Sequence, residues 1–211
     1  MTRPLVIIGA GGHAAVLLDA ARASGWKIVG LADADPARHG QHVLGAPVFG
    51  GDDAVFAHAP SDVLLMIGVG STADTAPRRE IFDRFAAHGY DFATVIHPAA
   101  IVARDVTLGA GTVVMAGAII QTRCRLGSNV IVNTGAQIDH DGTVGDHAHI
   151  APGAVLSGDV TVGDGAHVGV GATVLQGVAV GEATVCAAGA VVIRDVAGGI
   201  KVAGNPAREI E

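Results

Sequence analysis

From Ile96 to Val192 every sixth position carries an aliphatic residue: Ile96, Val102, Leu108, Val114, Ile120, Leu126, Val132, Ile138, Val144, Ile150, Leu156, Val162, Val168, Val174, Val180 and Val192, with Cys186 the single deviation. An α-helix repeats its apolar face about every 3.6 residues and a strand about every 2, so neither sustains a six-residue beat over this length. Each hexad therefore reads as a short strand plus a corner.

A longer period lies over the first. Apolar-Gly pairs recur at Leu108-Gly109, Leu126-Gly127, Val144-Gly145, Val162-Gly163 and Val180-Gly181, eighteen residues apart. Gly-Ala pairs keep the same interval at Gly117-Ala118, Gly135-Ala136, Gly153-Ala154, Gly171-Ala172 and Gly189-Ala190. Three hexads thus make one coil, each face of the coil has its own chemistry, and the coils predict a parallel β-helix of triangular section over residues 96–211. Such a solenoid leaves unpaired strand edges only at its ends.

The pattern ahead of the repeat is different. Residues 4–9 predict a buried strand, Gly9-Ala10-Gly11-Gly12-His13-Ala14 a turn into an Ala-rich helix reaching Ser24, and residues 27–32 a second strand ending at Asp33. An apolar run at 63–69 and a helix from Thr75 to His88 continue the alternation, so residues 1–95 are expected to form a small Rossmann-like α/β domain with a parallel sheet. A Gly-rich turn between strand and helix brings backbone N–H groups to a phosphate at the helix N-terminus, where the dipole also favours negative charge. Gly9, Gly11, Gly12 and His13 are the candidates for that contact. Asp33, about twenty residues on, is placed to accept hydrogen bonds from a ribose or a base. A complete dinucleotide site usually spans a longer sheet, so a mononucleotide or nucleotide-sugar fits better.

Composition narrows the classes. The chain has 211 residues, half of them hydrophobic, with 31 glycines and only 3% aromatics, a bias that suits tight corners and small interior side chains. A net charge of -7 with no Lys/Arg run argues against nucleic acid or an anionic membrane as partner. The first twenty residues enter a strand and a Gly turn at once, without a signal sequence, and no run of about 18 uncharged apolar residues occurs. A cytoplasmic protein is expected. Cys124 and Cys186 are too few for a disulfide framework and lack metal-type spacing.

The [LIV]-G-x-x-x-x hexads resemble the left-handed parallel β-helix of hexapeptide acyltransferases. With Gly9-Ala10-Gly11-Gly12-His13 in front, the whole chain resembles the sugar O/N-acyltransferases that modify nucleotide-activated amino sugars, a group holding GDP-perosamine and UDP-4-amino-sugar N-acetyltransferases and the sialic acid O-acetyltransferases. The left hand is implied by the resemblance, since the general crossover rule favours the other. The resemblance further implies acetyl-CoA as cosubstrate, a GDP- or UDP-linked 4-amino-4,6-dideoxy sugar as acceptor, no metal, a role in polysaccharide biosynthesis, and a homotrimer whose sites draw on two subunits.

Acetyl transfer from a thioester needs a base for the nucleophile, a donor for the developing oxyanion and two substrates held in line. The stretch Asn133-Thr134-Gly135-Ala136-Gln137-Ile138-Asp139-His140-Asp141 sets an imidazole, the natural base near neutral pH, between two carboxylates. It resembles the family's Asn-x-Gly-x-x-Ile-Glu-His-Glu segment, which implies His140 as general base toward the sugar amine and Asp141, ahead of Asp139, as the group that orients it. Asp replaces Glu at both flanks, so the reach is shorter and which carboxylate touches the ring stays open. His149 and Asn133 match family residues near the acetyl group and sugar. His147 and His167 read as packing, His167 lying one coil beyond His149.

Backbone N–H groups of Gly153 or Gly171 are candidates for the thioester oxygen or pantetheine. The tail Gly204-Asn205-Pro206-Ala207-Arg208 resembles the G-x-P-A-[KR] end that closes over coenzyme A in this family, with Lys201, Asn205, Pro206 and Arg208 as its candidates. Direct attack is expected, because Cys186 takes an inward slot and Cys124 has no activating neighbour. Two rival readings remain. Zinc-dependent hexapeptide carbonic anhydrases gather three histidines, for which His140, His147 and His149 are available, but a zinc hydrase has no use for the nucleotide turn. A nucleotide-sugar-binding module without catalysis is the other. Amine and hydroxyl acceptors need the same base; the amine is favoured.

Overall fold

A computed structural model describes residues 3–211. The N-terminal unit is built on β1 (Leu5–Ile8), whose four residues are all buried, as a central parallel strand requires. Around it stand β2 (Ile28–Ala32), β3 (His42–Val43), β4 (Ala46–Gly50) and β5 (Leu64–Ile67), in the order β3-β4-β2-β1-β5. Chain order reverses on either side of β1, so the turn at Gly9 opens at the switch point of the sheet, where α/β folds take ligands. Helix α1 (Gly12–Ala23) covers one face with Ala14, Leu17, Leu18 and Ala21, the spacing of one helical stripe. Helix α2 (Asp52–Phe56) is short, and α3 (Ala76–Ala87) closes the other face with Phe85. The β3–β4 hairpin and α2 fall between Asp33 and Val63, a stretch the hydrophobic pattern assigns to nothing.

The repeat forms the three-faced β-helix its period predicts. Each hexad contributes a two-residue strand, and strands pair in parallel with those eighteen residues away, as Ile119 does with Gln137 and Ile131 with His149. One face runs from Ile101–Val102 to Val191–Val192, the second from Thr107–Leu108 to Ala179–Val180. The third runs from Val95–Ile96 to Val185–Cys186, and ends in a strand at Lys201–Ala203 with an antiparallel return at Arg208–Ile210. Corners need a left-handed residue, and glycine supplies it at most sixth positions from Gly111 to Gly189; Arg123, Asn129, Asp141, His147, Asp159 and Ala183 carry side chains there. The sixth-position aliphatics, from Val114 to Val192, fill the interior with at most 4% exposure. Each such side chain contributes roughly 1.5–3 kcal/mol on burial, which offsets the entropy of so many ordered corners.

The third face carries the N-terminal unit. Val113, Met115 and Ile131 share one apolar cluster with Leu17, Leu18 and Met66. Arg78 of α3 locks the junction: fully buried, it donates to the Ile67 and Val69 carbonyls and to Asn129 Oδ1 at 2.6 Å. Among the described residues no carboxylate meets it, and burial pulls its pKa down to about 9, which leaves it charged at neutral pH. Thr75 adds a bond from its hydroxyl to the Gly165 carbonyl at 2.7 Å.

Candidate active site

His140 sits at the corner between the first and second faces. Its Nδ1 lies 2.7 Å from Asp141 Oδ2, while Asp139 Oδ1 accepts the backbone N–H of His140 at 2.7 Å. The two flanking carboxylates therefore divide the work: Asp141 touches the ring, Asp139 braces the main chain. Arg123, one coil earlier, grips Asp141 with both ends of its fork, Nε to Oδ1 at 2.6 Å and Nη2 to Oδ2 at 2.8 Å. That guanidinium first, and His140 second, hold the Asp141 carboxyl well below the usual carboxylate range. The imidazole lies over Gly158, one coil later, where an added Cβ would come within 2.6 Å of Cε1 and 2.7 Å of Nε2. With Nδ1–H donated to a carboxylate, Nε2 is the nitrogen left to take a proton.

A second group of imidazoles lies on the third face, beneath the N-terminal unit. His149 and His167 are register partners and meet edge to face at 4.8 Å between centroids, the ladder their spacing predicts. They line a cavity of about 630 Å³ together with His13, Ser71, Asn133 and Cys186. The Asn133 side-chain oxygen accepts the Thr134 N–H at 2.8 Å, which turns its NH₂ toward His149 Nε2 at 3.1 Å. His149 is then a neutral ring protonated on Nδ1, donating to the Ser71 hydroxyl at 2.7 Å. Burial, with His167, His13 and Arg78 nearby, pulls its pKa down to about 3. His13 is pulled down to about 4 by burial and Arg78, and its Nε2 is buried without a protein partner. Both rings are neutral at neutral pH, and His149 hydrogen-bonds in that form. Ser71 lies in a loop whose sequence signals nothing; only the folded geometry exposes it.

The Gly-rich turn opens on an adjoining cavity of about 380 Å³ that shares His13 and Gly70 with the first. A Cβ at Gly9, with φ +101°, would meet Val69 Cγ2 at 3.0 Å, so packing dictates that glycine; at Gly11 and Gly12 a Cβ would meet nothing within 4 Å. Those two leave backbone open to the cavity. Asp33 braces the turn: its Oδ2 accepts the Ala10 N–H at 2.6 Å, and its Oδ1 the Asp35 N–H at 2.9 Å. Arg38, missed in the sequence, lines the same cavity, donating to the Ala10 carbonyl at 2.8 Å, with Asp33 and Asp35 each 3.8 Å from its Nε. It places a fixed positive charge on a cavity that Asp33 and Asp35 also line.

Other candidates separate. The Gly153 and Gly171 amides are both bonded to the preceding coil, at Thr134 O and Pro152 O, 3.0 Å each. Among the described residues the Val170 and Ala188 amides at the same corner have no protein acceptor, and both residues line the large cavity. Lys201 continues the outward column His149, His167, Val185 at its open end. Asn205, Pro206 and Arg208 are exposed in the terminal hairpin turn and strand. His147 is bound to Asn129 at 3.1 Å and packed on Phe82, so it points to neither His140 nor His149. Burial pushes the Cys186 thiol up to about 11 and raises that of Cys124.

A Gly-rich strand–turn–helix unit packed on a hexapeptide β-helix, with a carboxylate-held imidazole at one corner, is the architecture of a sugar acyltransferase class, and comparison with known proteins agrees. Residues 4–85 match the PglD N-terminal domain model, and residues 141–176 the bacterial transferase hexapeptide (six repeats) model. PerB from Caulobacter crescentus, solved in complex with CoA and GDP-perosamine, is 38% identical over 100% of this chain and 99% of its own, with a TM-score of 0.92. The acetyltransferase domain of PglB from Neisseria gonorrhoeae FA1090, solved with acetyl coenzyme A, is 37% identical over 100% of both chains, again with a TM-score of 0.92. A perosamine N-acetyltransferase from C. crescentus carrying a histidine-to-asparagine substitution matches at 37% identity over 100% of this chain and 98% of that one, TM-score 0.92. Comparison with the curated proteins gave no match. The chain belongs to this family of hexapeptide-repeat sugar N-acetyltransferases and is an acetyltransferase with a left-handed β-helix.

Proposed function

We propose that the protein transfers an acetyl group from acetyl-CoA to the 4-amino group of a nucleotide-linked 4-amino-4,6-dideoxy sugar, with His140 as general base. The observation that carries this reading is the division of the molecule. The nucleotide turn and its cavities lie on the third face, whereas His140 occupies the opposite vertex, with the buried aliphatic column between them. His140 therefore serves a sugar bound to another copy of the chain, and a cyclic trimer, in which each interface pairs one copy's vertex with the next copy's cavity, meets that need.

Acetyl-CoA supplies an activated carbonyl with a thiolate leaving group. His140 Nε2 takes the proton from the sugar nitrogen as it attacks, and Asp141 holds the ring in the tautomer that leaves Nε2 free. Gly11, Gly12 and Arg38 offer N–H groups and charge to the diphosphate, His13 presents its unpartnered Nε2 to the same ligand, and Asp33 fixes the turn. Asn133, His149 and Ser71 line the acceptor and acyl pocket as hydrogen-bonding groups. The amides of Val170 and Ala188 are the donors open to the thioester, and Lys201 at the end of the column, with Arg208 in the tail, suits the coenzyme phosphates. The similarity to PerB, solved with GDP-perosamine, puts that nucleotide-sugar first. The test is thiol release from acetyl-CoA against a panel of GDP-, UDP- and dTDP-linked amino sugars. An N-acetylated GDP- or UDP-linked 4-amino sugar is the expected product; transfer only to hydroxyl acceptors, or no transfer at all, contradicts the reading.

A further inference from the structure

Arg123 stands where the β-helix asks for glycine. Every sixth residue along the corners takes a positive φ; glycine fills most of these positions, and an arginine at φ +63° has no local hydrogen bond of the kind that lets Asn or Asp sit there. Its ion pair with Asp141 is solvent-exposed, and exposed pairs stabilise folds little. Side chains held in sparsely populated conformations cluster at working sites. The Arg123 fork fixes both oxygens of the carboxylate that touches His140 Nδ1, so the ring's partner cannot rotate away. We propose that Arg123 is a positioning residue for the acetyl transfer, locking Asp141 against His140 through the preceding coil. This rests on the reading of His140 as base.

The charged and titratable groups around this corner are Asp139 beside the ring, Asp105, Cys124 and Arg125 on the earlier coils, and Asp159 on the later one. Asp105 accepts the Arg123 backbone N–H and the Thr122 hydroxyl, so it holds the main chain and leaves the guanidinium to Asp141. Arg123→Gly removes the fork while suiting the backbone, which separates positioning from folding. The variant keeps or raises Tm, loses about tenfold in kcat with KM unchanged, and moves the acid limb of the kcat profile to higher pH, because an unshared carboxylate favours the imidazolium. Arg123→Lys recovers part of the loss, and in an Asp141→Asn background Arg123→Gly has no further effect. Native kcat with an unmoved acid limb, or a loss of kcat that follows a loss of Tm with the limb unmoved, overturns the proposal. The pH response of the His140 Cε1–H signal in the unliganded protein is read alongside. A displaced response in Arg123→Gly supports the coupling even where His140→Gln leaves turnover intact, and that second result sinks the base assignment alone.

Discussion

The corner at His140 and the cavity around His149 use the same side chain for opposite ends. His140 keeps close to half its side-chain surface in solvent, rests against a carboxylate and leaves Nε2 free. His149 is buried, bonded at both nitrogens to neutral groups, and crowded by His167, His13 and a buried arginine, so its pKa falls to about 3. An imidazole beside an anion and open to solvent can cycle a proton, whereas one that is buried and bonded to neutral groups stays neutral and acts through hydrogen bonds. Burial and partners set the two rings apart, and the repeat supplies both positions from one architecture.

The sharpest way to break this contrast is to remove each ring in turn. His140→Gln lowers kcat by about 100-fold or more, as loss of a general base requires. Steady-state kinetics with the best acceptor checks it, and near-native kcat removes His140 from that role.

The next effect is on stability. His13 and His149 have folded pKa values of about 4 and about 3, below the ordinary 6.5, so on unfolding in mild acid both take up protons that the native state refuses. Their contribution is complete above pH 6.5 and is lost as pH falls toward about 4. The two rings together cost about 2–3 kcal/mol between pH 7.5 and 5.5. Urea midpoints across that range, compared with a His149→Asn variant, measure it; the variant's slope is flatter by about half. Equal slopes mean that His149 titrates alike in both states.

Smaller changes sharpen the geometry. Gly158→Ala puts a methyl where the His140 ring lies, and is expected to lower kcat about tenfold without lowering Tm. His149→Asn is expected to raise KM by about 3- to 10-fold and leave the acid limb of kcat in place, since a neutral pocket group contributes binding and takes no proton. A limb displaced by His149→Asn would give both rings proton-transfer roles.

Much of the fold was legible because the hexads leave one solution. Strict aliphatics at period six, with apolar-Gly pairs at eighteen, dictate strand, corner and coil, and place His149 and His167 in register on one face. Local motifs likewise gave the Gly-rich turn and the Asp139-His140-Asp141 segment. What escaped depends on direction. The Gly153 and Gly171 amides are bonded into the coil before, and the positive φ of these two residues is the conformation that glycine favours. Asp33, expected at a ribose or a base, also braces the turn through Ala10 and Asp35, and Arg38 bonds the same turn at the Ala10 carbonyl. Ser71 reaches His149 across 78 residues of sequence, which no spacing rule spans. Arg123 and Gly158 were in principle readable, each eighteen residues from the Asp141 or His140 it contacts, once the coil is used as a ruler.

The account stands on His140 of one copy serving the nucleotide site of another, and mixed assemblies test this directly. A His140→Gln chain retains its nucleotide site, and a Gly11→Asp chain, altered where a side chain meets open space, retains its base while repelling the diphosphate. Each alone is inactive. Co-assembled in equal amounts, they should regain activity at about a quarter of the sites, those pairing an intact His140 with an intact turn on the neighbouring copy. Activity no greater than the sum of the two parents would mean that each chain works alone, and would contradict the account.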